Sequence, residues 1–397
     1  MRKLKLGFLM FALVILACTV SQGKQAKPEK VHRIVYEIQS DEWYQEQSEL
    51  WKNILDQDPQ NPEAWYNYYN ANRYAHFEDT GNKDKQAKLD SIVMEMGRAI
   101  PDTYVYYLLK YWNEYDPDDI TLIEKAYALD SLRADTYYPF ITHYEISGDQ
   151  KGLNKFCSKL YQAHDISSWL LDYNYNVLMS VGQGGILFTN GDNDTYPVWL
   201  LQHVKNIRPD VLVVNVSMAT KEAYITRKLK EKNIHIEFGN LFEKDGVKVS
   251  DQKIRYIQNL YHYIADSYPK QPLYFALTVY SNLTDDIRDQ LYVVGLAYKY
   301  SKSRIDNIAL IKKNLENGFR LDYLKYDWYR ENNLGYSIKD RLHMNYVVPM
   351  IILAEHYQLS GESELAGKWG DLAMYLAKQA RNDNAIGEIR SKFPDLN

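Results

Sequence analysis

The sequence predicts a mixed fold: all-α helical repeats flanking an α/β module with a mostly parallel sheet. Three observations predict it. Residues 182–218 read as strand, loop, helix and strand. Residues 58–69 (DPQNPEAWYNYY) read as a helix end, a proline-containing turn and a new helix. Residues 272–279 (PLYFALTV) are apolar on both faces, as a central parallel strand must be. The expected division is 1–18 signal segment, 19–35 tether, 36–180 helical domain, 181–300 α/β module and 301–397 a second helical region.

The first eighteen residues are read as targeting rather than fold. Arg2, Lys3 and Lys5 precede an apolar stretch over residues 6–17 that is too short for an ordinary membrane-spanning helix. Ile15-Leu16-Ala17-Cys18 is similar to a bacterial lipobox, which implies cleavage before Cys18 and lipidation of its thiol; the alternative is a plain secretory signal with a chance cysteine. The expected place is the cell envelope, lipid-anchored, at the outer membrane facing the periplasm, because no acidic run follows Cys18. Residues 19–32 are polar and aperiodic, as in a flexible tether. Cys157 is then the only other cysteine, so no disulfide can form within the exported part, and its helical context reads as a buried small hydrophobe.

From residue 41, Trp43, Tyr44, Leu50, Trp51, Ile54 and Leu55 recur at helical spacing until Asp58-Pro59 stops them. The following Ala64-Trp65-Tyr66 resembles the packing seam between tetratricopeptide repeats. Residues 122–129 lead into another junction at 130–138, and Ser147-Gly148-Asp149 closes the next helix. Near the C-terminus residues 349–359, Ser360-Gly361-Glu362 and residues 365–380 repeat helix, turn and helix. No strict 34-residue period runs through the chain, so the array is tetratricopeptide-like without a fixed repeat count.

Between these helices, Ile186 to Thr189 is a short β-prone run after two glycines. Asp192, Asn193, Asp194 and Thr195 carry capping chemistry, and Pro197 suits a first helical turn. The helix should end before Arg208-Pro209-Asp210. Residues 211–216 form the second strand, parallel to the first. A charged helix over 221–232 and an alternating, strand-like stretch over 233–238 follow. A Tyr-rich helix is expected over 252–267, and residues 291–298 are apolar, strand or short packed helix.

The segment ILFTNGDNDTYPVWLLQHVKNIRPDVLVVNVSM, with QPLYFALTVY and LYVVGLAYKY after it, resembles the soluble C-terminal region of the DUF2723 membrane proteins of Bacteroidetes, which are similar to protein O-mannosyltransferases. The resemblance covers about residues 180–300. It implies a shared module and a link to cell-envelope glycosylation. It implies no enzyme class, because the transferase-like activity belongs to a membrane-embedded part with no counterpart here.

The candidate site is Asn190, Asp192, Asn193, Asp194 and Thr195, at the carboxyl end of a strand, where ligands collect in open parallel sheets. Asp192 and Asp194 form a D-x-D pair that could hold a divalent cation; no other cofactor is expected. A calcium loop of EF-hand type is excluded, since Pro197 and His203 stand where glycine and an acidic residue are needed. Capping explains the same residue types without a ligand. Gly182-Gln183-Gly184-Gly185 precedes a strand, so it is a turn and not a phosphate loop. The histidines lack zinc-binding spacing, and neither Ser217 nor Ser281 lies in a nucleophile elbow. A formal charge of -5 argues against nucleic acid. The 36 tyrosines and eight tryptophans suit helix-pair cores first, and glycan or protein contacts second. The function expected is a protein-interaction or scaffolding lipoprotein working through its helical repeats, possible catalysis set aside; the alternative is a carbohydrate- or metal-binding protein, or a glycan-active enzyme, using the loop 190–195.

Overall fold

The computed structural model describes residues 27–77, 82–236, 249–326 and 336–394. Cys18 and the lipobox lie outside them.

Among the described residues, eight α-helices come first. They are α1 (Asp41–Gln57), α2 (Pro62–Tyr74), α3 (Lys83–Ala99), α4 (Tyr104–Glu114), α5 (Thr121–Leu129), α6 (Tyr137–Ser147), α7 (Gln150–Gln162) and α8 (Ser168–Ser180). Five of these starts, those of α1, α2, α3, α4 and α7, follow from side-chain capping. Ser40 accepts from the Trp43 amide, Asn61 from Ala64 with Pro62 in the first turn, and Asp149 from Lys151 and Gly152. Gly148, at φ 79°, supplies the left-handed residue that ends α6 and lets α7 fold back. Sequence neighbours pack most extensively, α1 on α2, α4 on α5 and α6 on α7, which is the arrangement of tetratricopeptide-like helix pairs.

The α/β module holds β1 (Ile186–Thr189), α9 (Asp192–Lys205), β2 (Leu212–Asn215), α10 (Glu222–Lys230), α11 (Val249–Ser267), β3 (Leu273–Ala276), β4 (Leu291–Val293) and β5 (Ala297–Tyr300). The sheet is mixed, in the order β2-β1-β3-β5-β4; β1 pairs parallel with β2 and β3, while β5 runs antiparallel to β3 and β4. The uncertain stretch 291–298 is therefore strand, turning through Gly295 at φ 135° into β5. Side-chain alternation splits the sheet between two cores. Leu187 and Val213 face the helical array with Val198 and Trp199 of α9. Ile186, Phe188, Leu212 and Val214 face Tyr256, Ile257 and Leu260 of α11. The remaining helices, α12 (Asn307–Lys313), α13 (Tyr336–His343), α14 (Val347–Leu359), α15 (Ser363–Gln379) and α16 (Asp383–Lys392), include a further tight pair, α14 with α15, turned by Gly361 at φ 76°. Among the described residues no helix is long and apolar enough to cross a membrane.

Four expectations need correction. The helix α9 starts at Asp192, so Asp192 to Thr195 form its first turn rather than a loop. Pro197 sits within α9, past the first turn, where a proline removes a backbone hydrogen bond. Residues 233–236 are not a strand: Asn233 is left-handed at φ 57°, the Ile234 amide returns to the Leu229 carbonyl, and the chain leaves α10 through a capping turn. Residues 237 and 238 of that stretch lie outside the described residues. Finally, residues 27–35 are not a loose tether. They are packed against the helical array, with Val31 fully buried.

Candidate functional site

Asp194 is the third residue of α9, and its carboxylate reaches back to accept from the amides of Asn190 at 2.8 Å and Gly191 at 2.7 Å. Thr278, just beyond β3, donates its hydroxyl to the same carboxylate. One buried side chain thus ties the β1–α9 connection to the carboxyl end of the neighbouring strand. Burial raises its pKa, and the Thr278, Asn190, Gly191 and Thr195 donors oppose the rise. Thr195 is also buried. Its hydroxyl pairs with that of Thr189 at 2.9 Å and accepts from Asn215 Nδ2 at 3.0 Å. Asn190 and Asn193 are partly buried; the Asn193 amide donates to the Val35 carbonyl at 3.2 Å.

Asp192 behaves differently. Its side chain is 50% exposed, lies 3.8 Å from an Arg33 guanidinium nitrogen and lines a cavity. Burial in that cavity raises its pKa, with Arg33 and Arg73 opposing. The two aspartates of the D-x-D pair therefore have separate partners. Among the described residues no group of three or more His, Cys, Asp or Glu could hold a metal ion.

Arg33 leads to a larger site. Residues 29–36 lie among side chains of α1, α2, α6 and α9. The Glu29 amide donates to Gln47 Oε1 at 2.7 Å and the Val31 amide to Asn67 Oδ1 at 2.7 Å. Trp51 Nε1 donates to the Glu29 carbonyl at 2.8 Å. Tyr36 and Tyr138 both donate to Asp165, Tyr138 at 2.6 Å. The Arg33 guanidinium carbon lies 4.4 Å from the Tyr138 ring centroid and 5.9 Å from that of Trp112. Two cavities flank this segment. The larger, 850 Å³, is lined by Lys30, Arg33, Glu63, Arg133, Asp135 and Asp165 among others. The smaller, 290 Å³, reaches Asp192.

Sequence reading missed this cleft because its residues come from seven separate places in the chain, each explicable as an ordinary helix face. One signal was present: Asn67, Asn70 and Arg73 recur every third residue of α2, a polar row on a helix whose asparagines are nonetheless buried.

The fold and cleft define a tetratricopeptide-like helical protein with an inserted α/β module. Residues 170–237, from α8 through α10, match the family model TMEM260-associated domain 2, well under half of the chain. No curated protein matches the sequence. Among solved structures, a monomeric IFIT1 mutant with m7Gppp-AAAA is 16% identical, covering 85% of this chain and 68% of that one with a TM-score of 0.28. A second, with Gppp-AAAA, is 16% identical over 84% and 68%, also at 0.28. At such scores the fold class rests on the elements described above.

Proposed function

We propose that this chain is an envelope lipoprotein acting as a protein-interaction and scaffolding component, and that its cleft receives an extended polypeptide segment. The observation that carries this reading is the seating of residues 29–36. Gln47 and Asn67 accept from backbone amides, while Trp51 and Asn193 donate to backbone carbonyls. Side chains set to pair with main-chain groups recognise polypeptide largely independently of its sequence. Here the chain's own segment occupies the cleft, and a partner segment would compete with it. Competition of this kind is graded by the effective concentration of the tethered segment.

With Cys18 lipidated, the stretch from Cys18 to Glu29 spans at most about 40 Å when fully extended. The cleft would stand close to the membrane, at the outer membrane facing the periplasm. The resemblance of residues 180–300 to the soluble region of DUF2723 proteins supports a link to cell-envelope glycosylation; the TMEM260-associated match supports the shared module alone. A second reading, as a glycan-binding or glycan-active protein, is favoured by one observation: Asp192 faces a cavity with Trp112 and Tyr74.

The test is cross-linking of the full chain in detergent-solubilised envelope, beside a Cys18→Ala variant fractionated for membrane association. Partner peptides cross-linked to α1, α2 or α6, with loss of membrane association in C18A, are expected. Failure to recover a reproducible partner, or cross-links confined to other faces, overturns the interaction role; membrane retention of C18A overturns the lipid anchor.

A further inference from the structure

The 290 Å³ cavity holds more hydrogen-bond donors than the fold can satisfy. Arg73 lies over the rings of Trp112 and Tyr74, at 5.2 and 5.8 Å to their centroids, and has no carboxylate or hydrogen-bond partner among the described residues. Arg33 Nη1 is buried and unpartnered, and its other terminal nitrogen stands 3.8 Å from Asp192, beyond hydrogen-bond distance. Asn70, 2% exposed, also lines the cavity and leaves its side-chain amide nitrogen without a partner. A buried donor left unpaired costs about 1–3 kcal/mol. Two such donors, Arg33 Nη1 and Asn70 Nδ2, with the half-buried Arg73 guanidinium beside them, call for a molecule that brings acceptors.

Charge narrows the choice. Asp135 is engaged by Arg133 at 3.3 Å, which leaves Arg33 and Arg73 against Asp192 alone. The wall therefore carries an excess positive charge, which water cannot neutralise and an anion can. The volume is near the lower end of ligand pockets, which run from about 300 to 1,000 Å³, so it suits a small acid rather than a nucleotide.

We propose that this cavity binds a small oxyanion, a carboxylate or a phosphate, held between Arg33, Arg73 and Asn70. Guanidinium groups pair with both oxyanions through two parallel N–H donors. The site shares Arg33, Ile34 and Val35 with the docked segment, so it exists only while residues 29–36 are seated, whereas Arg73 and Asn70 belong to α2.

The experiment is isothermal titration of the full chain with succinate, inorganic phosphate and the neutral dimethyl succinate, at constant ionic strength. Saturable binding of succinate or phosphate, and none of the diester, is expected; whichever anion binds identifies the group. Arg73→Gln should weaken binding about tenfold or more, the loss of one charge-assisted pair, while Arg73→Lys retains part of it. Asn70→Leu is the second variant, with the same direction, and Arg288→Gln, at an exposed arginine of the 3₁₀ turn Asp285–Gln290 that does not line this cavity, is the control that leaves binding unchanged. Absence of saturable binding by both anions overturns the proposal. So does binding that is undiminished in R73Q and N70L, or equal binding of the diester.

Discussion

Asn174 Nδ2 donates to the Asn193 carbonyl at 2.8 Å, and that carbonyl is the one Pro197 leaves without an amide. A proline four residues along a helix removes the donor that would have closed the turn. The α8 side chain replaces it, which also fastens α8 to α9. Asn174→Ala should therefore destabilise the protein by about 1–3 kcal/mol, the range for a buried acceptor left unpaired. In a Pro197→Ala background the missing amide returns, and the cost of N174A should shrink by about 1 kcal/mol or more. Urea unfolding of the four proteins in this cycle measures it; equal costs in both backgrounds would refute the substitution of side chain for backbone.

Asp192 and Asp194 should respond differently to neutralisation. Asp194 accepts from two backbone amides and the Thr278 hydroxyl while 2% exposed. Asp194→Asn should cost about 2–4 kcal/mol, since hydrogen bonds to a charged group contribute about 1.5–3 kcal/mol each and the Asn amide oxygen keeps one acceptor position. Asp192 is half exposed and its ion pair is long, so Asp192→Asn should stay within about 1 kcal/mol of the parent. Chemical denaturation reads both. Comparable losses at the two positions would mean that Asp192 too is structural.

The strands β1, β2 and β3 were legible because each is a short, apolar run bounded by turn residues, and burial on both faces leaves such runs few other places. The helix pairs were legible from caps and turns: Asn61-Pro62, Gly148-Asp149 and Gly361 act locally, so their effect is written locally. Residues 233–236 misled because Ile234 and Ile236 alternate like a strand, whereas Ile234 is placed by a capping turn of α10 and buried in the core beneath α11. The acidic stretch 190–195 was placed at the carboxyl end of β1 from pattern alone. What Asp194 bonds to could not be read, since Thr278 lies 84 residues away. The cleft was least legible. Arg33, Trp112, Tyr138 and Asp165 meet only because helices from distant parts of the chain converge, and aromatic residues on helices are first of all core residues.

Tyr36 should control the docking of residues 29–36. Its hydroxyl and that of Tyr138 share Asp165, and its ring flanks Arg33. Tyr36→Phe removes one donor and keeps the ring, so the fold should persist with Tyr138 still bonded to Asp165. Release of the segment should become easier by about 1–2 kcal/mol, a charge-assisted bond partly replaced by water. Hydrogen exchange at the Glu29 and Val31 amides should accelerate roughly ten-fold accordingly. Unchanged protection of those two amides would show that Gln47 and Asn67 hold the segment without Tyr36.

Stability should fall in mild acid because of His343. Its ring is 3% exposed, lies against Trp169, Tyr323 and Tyr346, and is pushed down to about 3 by burial, with Lys339 acting in the same direction. His203 shifts the same way, to about 4, through burial and Lys228. In the unfolded chain each histidine takes up a proton near its ordinary value of about 6.5, which the fold refuses until the lower value is reached. The stability they permit is thus complete above about pH 6.5 and is lost as pH falls from there towards 4 for His203 and towards 3 for His343. The loss from His343 approaches about 1.4 kcal/mol per pH unit within that window. Thermal or urea unfolding between pH 7 and 5 should show this slope, and His343→Gln, which cannot titrate, should flatten it even though the variant starts from a lower stability. A slope identical in parent and variant would mean that other groups, among them His203, carry the acid sensitivity.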